Sequence, residues 1–203
     1  MNNTVPNIIS KILDESKVDN PWVNSPYKDL LNLTIDGRGK VGEVICSEAC
    51  KTNSRLTINE DISDVNAKGN NIHYDIKIND KYIEVKTAYR DGRNAWQHEN
   101  LYKDSINCDY VLFIDFDYEG IHLSMFKTSD LPLSCDSEFF PSKHGTLRKN
   151  KDDGYKLDFS RRTFSNFKNR HYQYLKAEDA SLDNIGKFIG KELLYYDDIG
   201  IVS

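Results

Sequence analysis

The stretch from His73 to Thr87 constrains the fold more than any other part of the chain. It reads His-Tyr-Asp-Ile-Lys-Ile-Asn-Asp-Lys-Tyr-Ile-Glu-Val-Lys-Thr. Asn79-Asp80 is a tight-turn signal between two runs of alternating apolar residues, which predicts strands over 72–78 and 81–87. Strand side chains alternate faces, so Ile83 and Val85 share the core side while Glu84 and Lys86 share the other. Asp75 lies on the first strand. The hairpin therefore brings an acid from each strand, and one ammonium, to the rim of a sheet.

The flanking segments predict the rest of an α/β domain. Residues 7–17 have the apolar spacing of a short helix, which Asn20-Pro21 breaks. Tyr27 to Leu33 suits a second short helix. Gly37-Arg38-Gly39-Lys40 reads as a turn that opens a helix over 40–51, with Val41, Val44, Ile45 and Ala49 on its apolar side. On that wheel Glu48 falls within the apolar arc and Glu43 almost opposite. A short strand is expected at Leu56 to Asn59, and a helix over Ala95 to Ser105 that carries Gln97, with Trp96 in the core. Tyr110 to Phe116 is nearly all apolar, as in a central strand covered on both faces. Ile121 to Phe126 alternates as a further strand. Residues 128–172 read as irregular, aromatic and basic. Ser181 suits an N-cap for a last helix with Leu182, Ile185, Ile189 and Leu193 on its buried stripe. This order predicts one domain over 1–203, built on a mixed central β-sheet with helical cover.

Composition narrows the class. The chain has 203 residues, of which 38% are hydrophobic and 29% charged, enough for one core and too ordered a mixture for a disordered chain. It holds no apolar run long enough to span a membrane, and Met1 to Lys17 lacks the basic start and apolar centre of a signal peptide. A cytoplasmic location and no membrane partner are expected. Cys46, Cys50, Cys108 and Cys135 have neither disulfide-framework nor zinc spacing. Cys46 and Cys50, one helical turn apart, read as small packing residues.

A net charge of −5 argues against indiscriminate binding of polyanions. The charge is uneven, however. Between Lys143 and Arg170 nine basic residues face three acids, a local excess of six positive charges. Such a field attracts a phosphate backbone, although a solvated basic loop has the same composition. Lys143, His144, Arg148, Arg161, Arg162 and Lys168 are the candidate nucleic-acid contacts in the segment 141–171.

Hydrolysis of a phosphodiester requires that developing negative charge be neutralised, a water activated and aimed, and the leaving oxygen stabilised. Mg²⁺ suits this because it is a hard ion that prefers oxygen ligands and keeps several waters. Asp75 and Glu84 could supply two oxygens and the Val85 carbonyl a third. Lys86 would stand beside the attacking water, where a lysine serves because desolvation lowers its pKa readily. The same acid-apolar-lysine triplet also suits an ordinary solvated strand face.

These residues give the chain a resemblance to the PD-(D/E)XK nuclease superfamily, the restriction-endonuclease-like fold. The matching positions are Gly42-Glu43 on the first core helix, Asp75, and Glu84-Val85-Lys86, within a core of roughly 40–126. The resemblance implies an αβββαβ-type core, Mg²⁺ dependence with Mn²⁺ able to substitute, and products with a 5′-phosphate. It makes Asp75 and Glu84 metal ligands, Lys86 the water-positioning base and Glu43 the supporting helix carboxylate, with Glu48 as its competitor. Tyr74 stands where many members have proline, and Gln97 precedes Tyr102 by five residues rather than four. The expected activity is endonucleolytic cleavage of double-stranded DNA in the manner of a type II restriction enzyme, and a homodimer is the family's usual form. A repair, junction-resolving or phage DNA-processing nuclease of the same fold, and a non-catalytic DNA-binding module, are the alternatives.

Overall fold

The computed structural model describes residues 20–59, 74–102, 108–131, 146–149, 154–167 and 171–198. The expected helix over 7–17 lies outside them. After two short 3-10 turns, Pro21–Asn24 and Lys28–Asn32, comes helix α1, Ile35–Lys51. It begins earlier than its glycines suggest. Thr34 is the N-cap, its Oγ1 accepting the Gly37 N–H at 3.1 Å, so Gly37 and Gly39 lie inside the first turns.

Strands β1 (Ile58–Asn59), β2 (Ile76–Ile78) and β3 (Lys81–Tyr89) follow. The β2–β3 hairpin turns at Asn79 and Asp80, which take φ of 48° and 61°, the left-handed pair that a two-residue turn requires. Then come β4 (Ala95–Tyr102), β5 (Tyr110–Phe116), β6 (Gly120–Lys127), β7 (Thr146–Lys149) and β8 (Gly154–Ser160). Helix α2 (Arg161–Asn166), β9 (Tyr172–Lys176) and helix α3 (Leu182–Asp198) complete the order.

The protein is α/β, with a six-stranded mixed sheet in the order β1-β2-β3-β5-β6-β9 and a three-stranded sheet β4-β8-β7. Only β3 and β5 pair in parallel; every other ladder in the large sheet is antiparallel. Helices α1 and α3 cover one face through Cys46, Ala49, Ile185, Phe188 and Ile189 against Ile83, Val85, Leu112 and Ile114. The small sheet covers the other, with Trp96, Leu157 and Phe159 against Val111, Phe113 and Phe126.

Several expectations are corrected. Residues 95–102 form strand β4 and not a helix, because Trp96 and His98 both point inward, a two-residue period that a helix cannot satisfy. The tract 128–172 is not irregular throughout: it contains β7, β8 and α2, and Leu157 and Phe159 are core residues. Val44 and Leu182, expected on buried stripes, are 48% and 42% exposed. On α1 the buried side is Gly42, Cys46, Ala49 and Cys50. Cys46 and Cys50 are free, buried packing residues. No described helix is long and apolar enough to cross a membrane.

Two glycines set how close the helices come. A methyl at Gly42 would run into the Thr87 hydroxyl on β3, and one at Gly186 would overlap the Ala49 carbonyl across the α1–α3 crossing. Gly186→Ala is therefore expected to cost about 1–3 kcal/mol, the usual scale of overpacking. Gly39 lies in α1 with nothing near its missing methyl. Gly39→Ala should gain roughly 0.5–1 kcal/mol from backbone entropy. Urea unfolding of both variants checks the pair; a Gly186→Ala midpoint at or above wild type would contradict the close crossing.

Candidate active site

The hairpin and α1 meet at one end of the large sheet. Asp75 sits just before β2, its N–H bonded to the Ile83 carbonyl at 3.0 Å. Its Oδ2 accepts the Val85 N–H at 2.7 Å. That bond draws the carboxylate across the hairpin onto the Glu84-Val85-Lys86 segment. Lys86 Nζ lies 2.7 Å from Glu84 Oε1, with the two side chains 19% and 17% exposed. The pair is half-sunk between the sheets and open at the rim.

Gly42 permits α1 to lie directly on Val85 and Thr87. The next residue, Glu43, accordingly reaches the same rim, where Lys40 Nζ donates to its Oε2 at 2.8 Å. An open pocket of about 260 Å³ runs between α1 and the hairpin, bordered by Lys40, Glu43, Ser47, Glu48, Asn59 and Asp75.

Electrostatics bind these groups together. Asp75 keeps an outer edge in solvent, but its inner side is enclosed. Loss of hydration and then the charge of Glu84 push its carboxyl up to about 6, with a further push from Glu43 and opposition from the Val85 N–H and Lys86. Lys40 is held more firmly protonated, chiefly by Glu43 and more weakly by Asp75. The two candidate helix acids now separate. Glu43 acts on Asp75, whereas Glu48, with its side chain 48% exposed, pairs with Lys51 at 2.7 Å.

The remaining candidates lie elsewhere. Gln97 is on strand β4 rather than on a helix. Its Nε2 donates to Asp91 Oδ2 and its Oε1 accepts Lys156 Nζ at 2.6 Å. Lys156 also reaches Glu99 Oε1 at 2.8 Å. Arg161 and Arg162 are exposed at the start of α2, and Arg161 approaches the buried Asp117 at 3.5 Å. Arg148 falls on β7. Lys143, His144 and Lys168 lie outside the described residues, as does His73.

A buried pair lies outside the residues that the sequence pattern singles out. His98 Nε2 lies 2.9 Å from Asp115 Oδ1, and both side chains are fully buried. Burial, and then the charges of Lys86 and Lys156, hold His98 down to about 3. Burial pushes the Asp115 carboxyl well up. The available signal was Asp115 itself, a lone acid within an apolar strand.

The donor set at the rim is hard oxygen, from Asp75, Glu84 and the Val85 peptide, which fits Mg²⁺ and not a soft ion. Among the described residues no three His, Cys, Asp or Glu side chains form a ready-made cage. No protein-family model matches the chain, and no curated protein matches its sequence.

The crowded acids have a measurable consequence. A native carboxyl at about 6 binds more protons than its unfolded counterpart at 3.8. Between those values, stability of the metal-free protein must fall as pH rises. Asp75→Asn keeps an acceptor for the Val85 N–H and removes that slope. In EDTA the variant's advantage in Tm over wild type should grow from pH 4 to pH 7 and then level off; a constant difference across this range would contradict the assignment.

Proposed function

We propose that the chain is a Mg²⁺-dependent endonuclease of the restriction-endonuclease-like class, which hydrolyses double-stranded DNA at a defined sequence and leaves a 5′-phosphate. The observation that carries this reading is the Asp75–Val85 hydrogen bond, which sets two acids from neighbouring strands beside the Lys86 ammonium at an open rim. The chain order supports it: α1, then the antiparallel run β1-β2-β3, then β5 parallel to β3. The crossover from β3 to β5 departs from the αβββαβ pattern, since it is strand β4.

Asp75, Glu84 and the Val85 carbonyl would hold the ion. When bound, Mg²⁺ supplies charge neutralisation at the phosphate and activation of water. The protein's own groups do the remainder. Lys86, held on Glu84, would orient the attacking water and offset charge on the phosphate; to act as its base it would first release its own ammonium proton to solvent at the open rim. Glu43 sustains the negative potential of the site from α1. Arg161 and Arg162, exposed at the start of α2, would hold phosphates of the duplex, with Lys143, His144, Arg148 and Lys168 from the same basic tract. Two copies acting about a two-fold axis would cut both strands of a palindrome.

The test is digestion of a complex plasmid with Mg²⁺, which should give discrete bands. Lys86→Ala should lower the cleavage rate by about 10²–10⁴-fold, the range for a general acid or base. Its affinity for DNA in Ca²⁺ should stay near wild type. Asp75→Asn should be as inactive, and Glu43→Gln should lose more activity than Glu48→Gln. A smear, or cutting confined to branched DNA, favours the repair or processing nucleases instead. Wild-type activity in Lys86→Ala, or the absence of salt-dependent DNA affinity, would overturn the reading.

A further inference from the structure

We propose that His98 and Asp115 are positioning residues for the reaction: their hydrogen bond locks the second sheet onto the floor beneath Lys86 and so keeps the ammonium on Glu84. The inference rests on the nuclease reading and extends it to residues that touch neither metal nor DNA.

The parallel ladder supplies the geometry. Lys86 lies opposite Phe113, and Ala88 opposite Asp115. Ala88 and Phe113 both belong to the core between the two sheets. Lys86, Ala88, Phe113 and Asp115 therefore occupy one face, with Asp115 a single step along it from the residue facing Lys86. His98 enters that layer from β4. Its ring meets Phe113 edge-on at 4.8 Å and tilts against Phe159 at 4.9 Å, while Nε2 reaches Asp115 Oδ1 at 2.9 Å. One step along β4, Trp96 Nε1 donates to the Phe116 carbonyl at 2.8 Å. Two successive inward residues of β4 are thus bonded to two successive residues of β5, and Phe113, the register partner of Lys86, is held against the His98 ring.

The pair also has to be uncharged to serve this purpose. An ionised Asp115 on the same face would offer Lys86 a second carboxylate and draw it inward from the rim. A charged imidazole would repel it. With the acid carrying its proton, Oδ1–H donates to Nε2 and neither effect operates. His98 Nδ1 has no hydrogen-bond partner among the described residues, so the 2.9 Å contact is what ties its ring to β5, while the Ala88 peptide N–H also acts on the Asp115 carboxyl from β3. Asparagine reproduces a protonated acid in shape and donates in the same direction; leucine reproduces the shape alone.

The experiment compares Asp115→Asn, Asp115→Leu, His98→Leu and wild type on a plasmid substrate. It measures kcat with Mg²⁺, DNA affinity with Ca²⁺, and Tm. The leucine variants should lose about 10²-fold in kcat, the scale of an ångström's misplacement of a reacting group. Their DNA affinity should remain within about threefold, and Asp115→Asn should restore kcat to within about threefold of wild type. Full kcat in folded leucine variants overturns the proposal. So does an Asp115→Asn protein that is folded but as inactive as Asp115→Leu, since that requires an ionised acid. If the leucine variants do not fold, Asp115→Asn alone decides: near-normal kcat supports the uncharged pair and its loss overturns it. A wild type that fails to cut removes the nuclease reading, and this proposal with it; a wild type that cuts alongside active leucine variants removes only the role of the pair.

Discussion

The parallel pairing of β3 with β5 is the constraint from which the site follows. Parallel neighbours cannot be joined by a tight turn, so the chain must leave the sheet at Tyr89 and re-enter at Tyr110 from the opposite end. It does so through β4, which then pairs with β8 to make a second layer. The two faces of β3 thereby meet different partners. Ile83 and Val85 face helices, while Glu84, Lys86 and Ala88 face another sheet. A polar strand face that would otherwise be solvated is covered along most of its length. Glu84 and Lys86 lie where the covering layer ends, paired with each other and still partly open to solvent. Ion pairs sunk further would face a desolvation cost that their attraction does not always offset.

The hairpin was legible because its turn demands a specific backbone. Few residues accept positive φ twice in succession, and Asn79-Asp80 does so between two apolar alternations. Tyr110–Phe116 was legible for another reason: seven buried residues in a row suit only a strand covered on both faces. The last helix declared itself through Ile185, Ile189 and Leu193, all buried. Strand β4 was hidden. Ala95, Gln97 and Glu99 are residue types that favour helices, and only the inward pair Trp96 and His98 carries the strand signal. Its partner β8 lies 59 residues further on for the Lys156–Gln97 contact, so no local pattern announces the pairing. The start of α1 was obscured in the same way. Glycine-rich 37–39 resembles a turn until the Thr34 cap is seen to satisfy the first N–H groups.

For the candidate site, the strand residues were readable by position and the helix residue was not. Alternation alone puts Glu84 with Lys86, and the hairpin register puts Asp75 opposite Glu84. The choice between Glu43 and Glu48 depended on which side of α1 is buried, and an apolar wheel misjudged it. The helix keeps its large apolar residues Val41 and Ile45 only partly buried, at the edge of the contact. It packs on Gly42, Cys46, Ala49 and Cys50, because the small side chains permit a closer approach to β3 and α3 than valine would. Rotating the buried side to the small residues carries Glu43 to the rim and leaves Val44 in solvent. Close packing, rather than hydrophobicity, decides which acid reaches the hairpin.

The basic tract illustrates why a charge count could not separate structure from function here. Along β8, Leu157 and Phe159 enter the core while Lys156 and Asp158 alternate with them, so half of the strand is scaffold. Lys156 is engaged by Gln97 and Glu99 of β4. The chain then passes directly into α2, where Arg161 and Arg162 are exposed and Phe164 is buried against Trp96 and His122. The exposed arginines are thereby fixed to the same layer that His98 bonds to β5. Surface cations on a loose loop would reach DNA independently of the rim. Mounted on α2, which packs through Phe164 on Trp96, they belong to the layer that covers the floor under Lys86; under the nuclease proposal, a duplex held by them would be presented to Asp75, Glu84 and Lys86 through that layer. The second sheet thus stands where the resemblance expects a crossover helix, with exposed arginines beside it and the face of β3 that bears Glu84 and Lys86 beneath it.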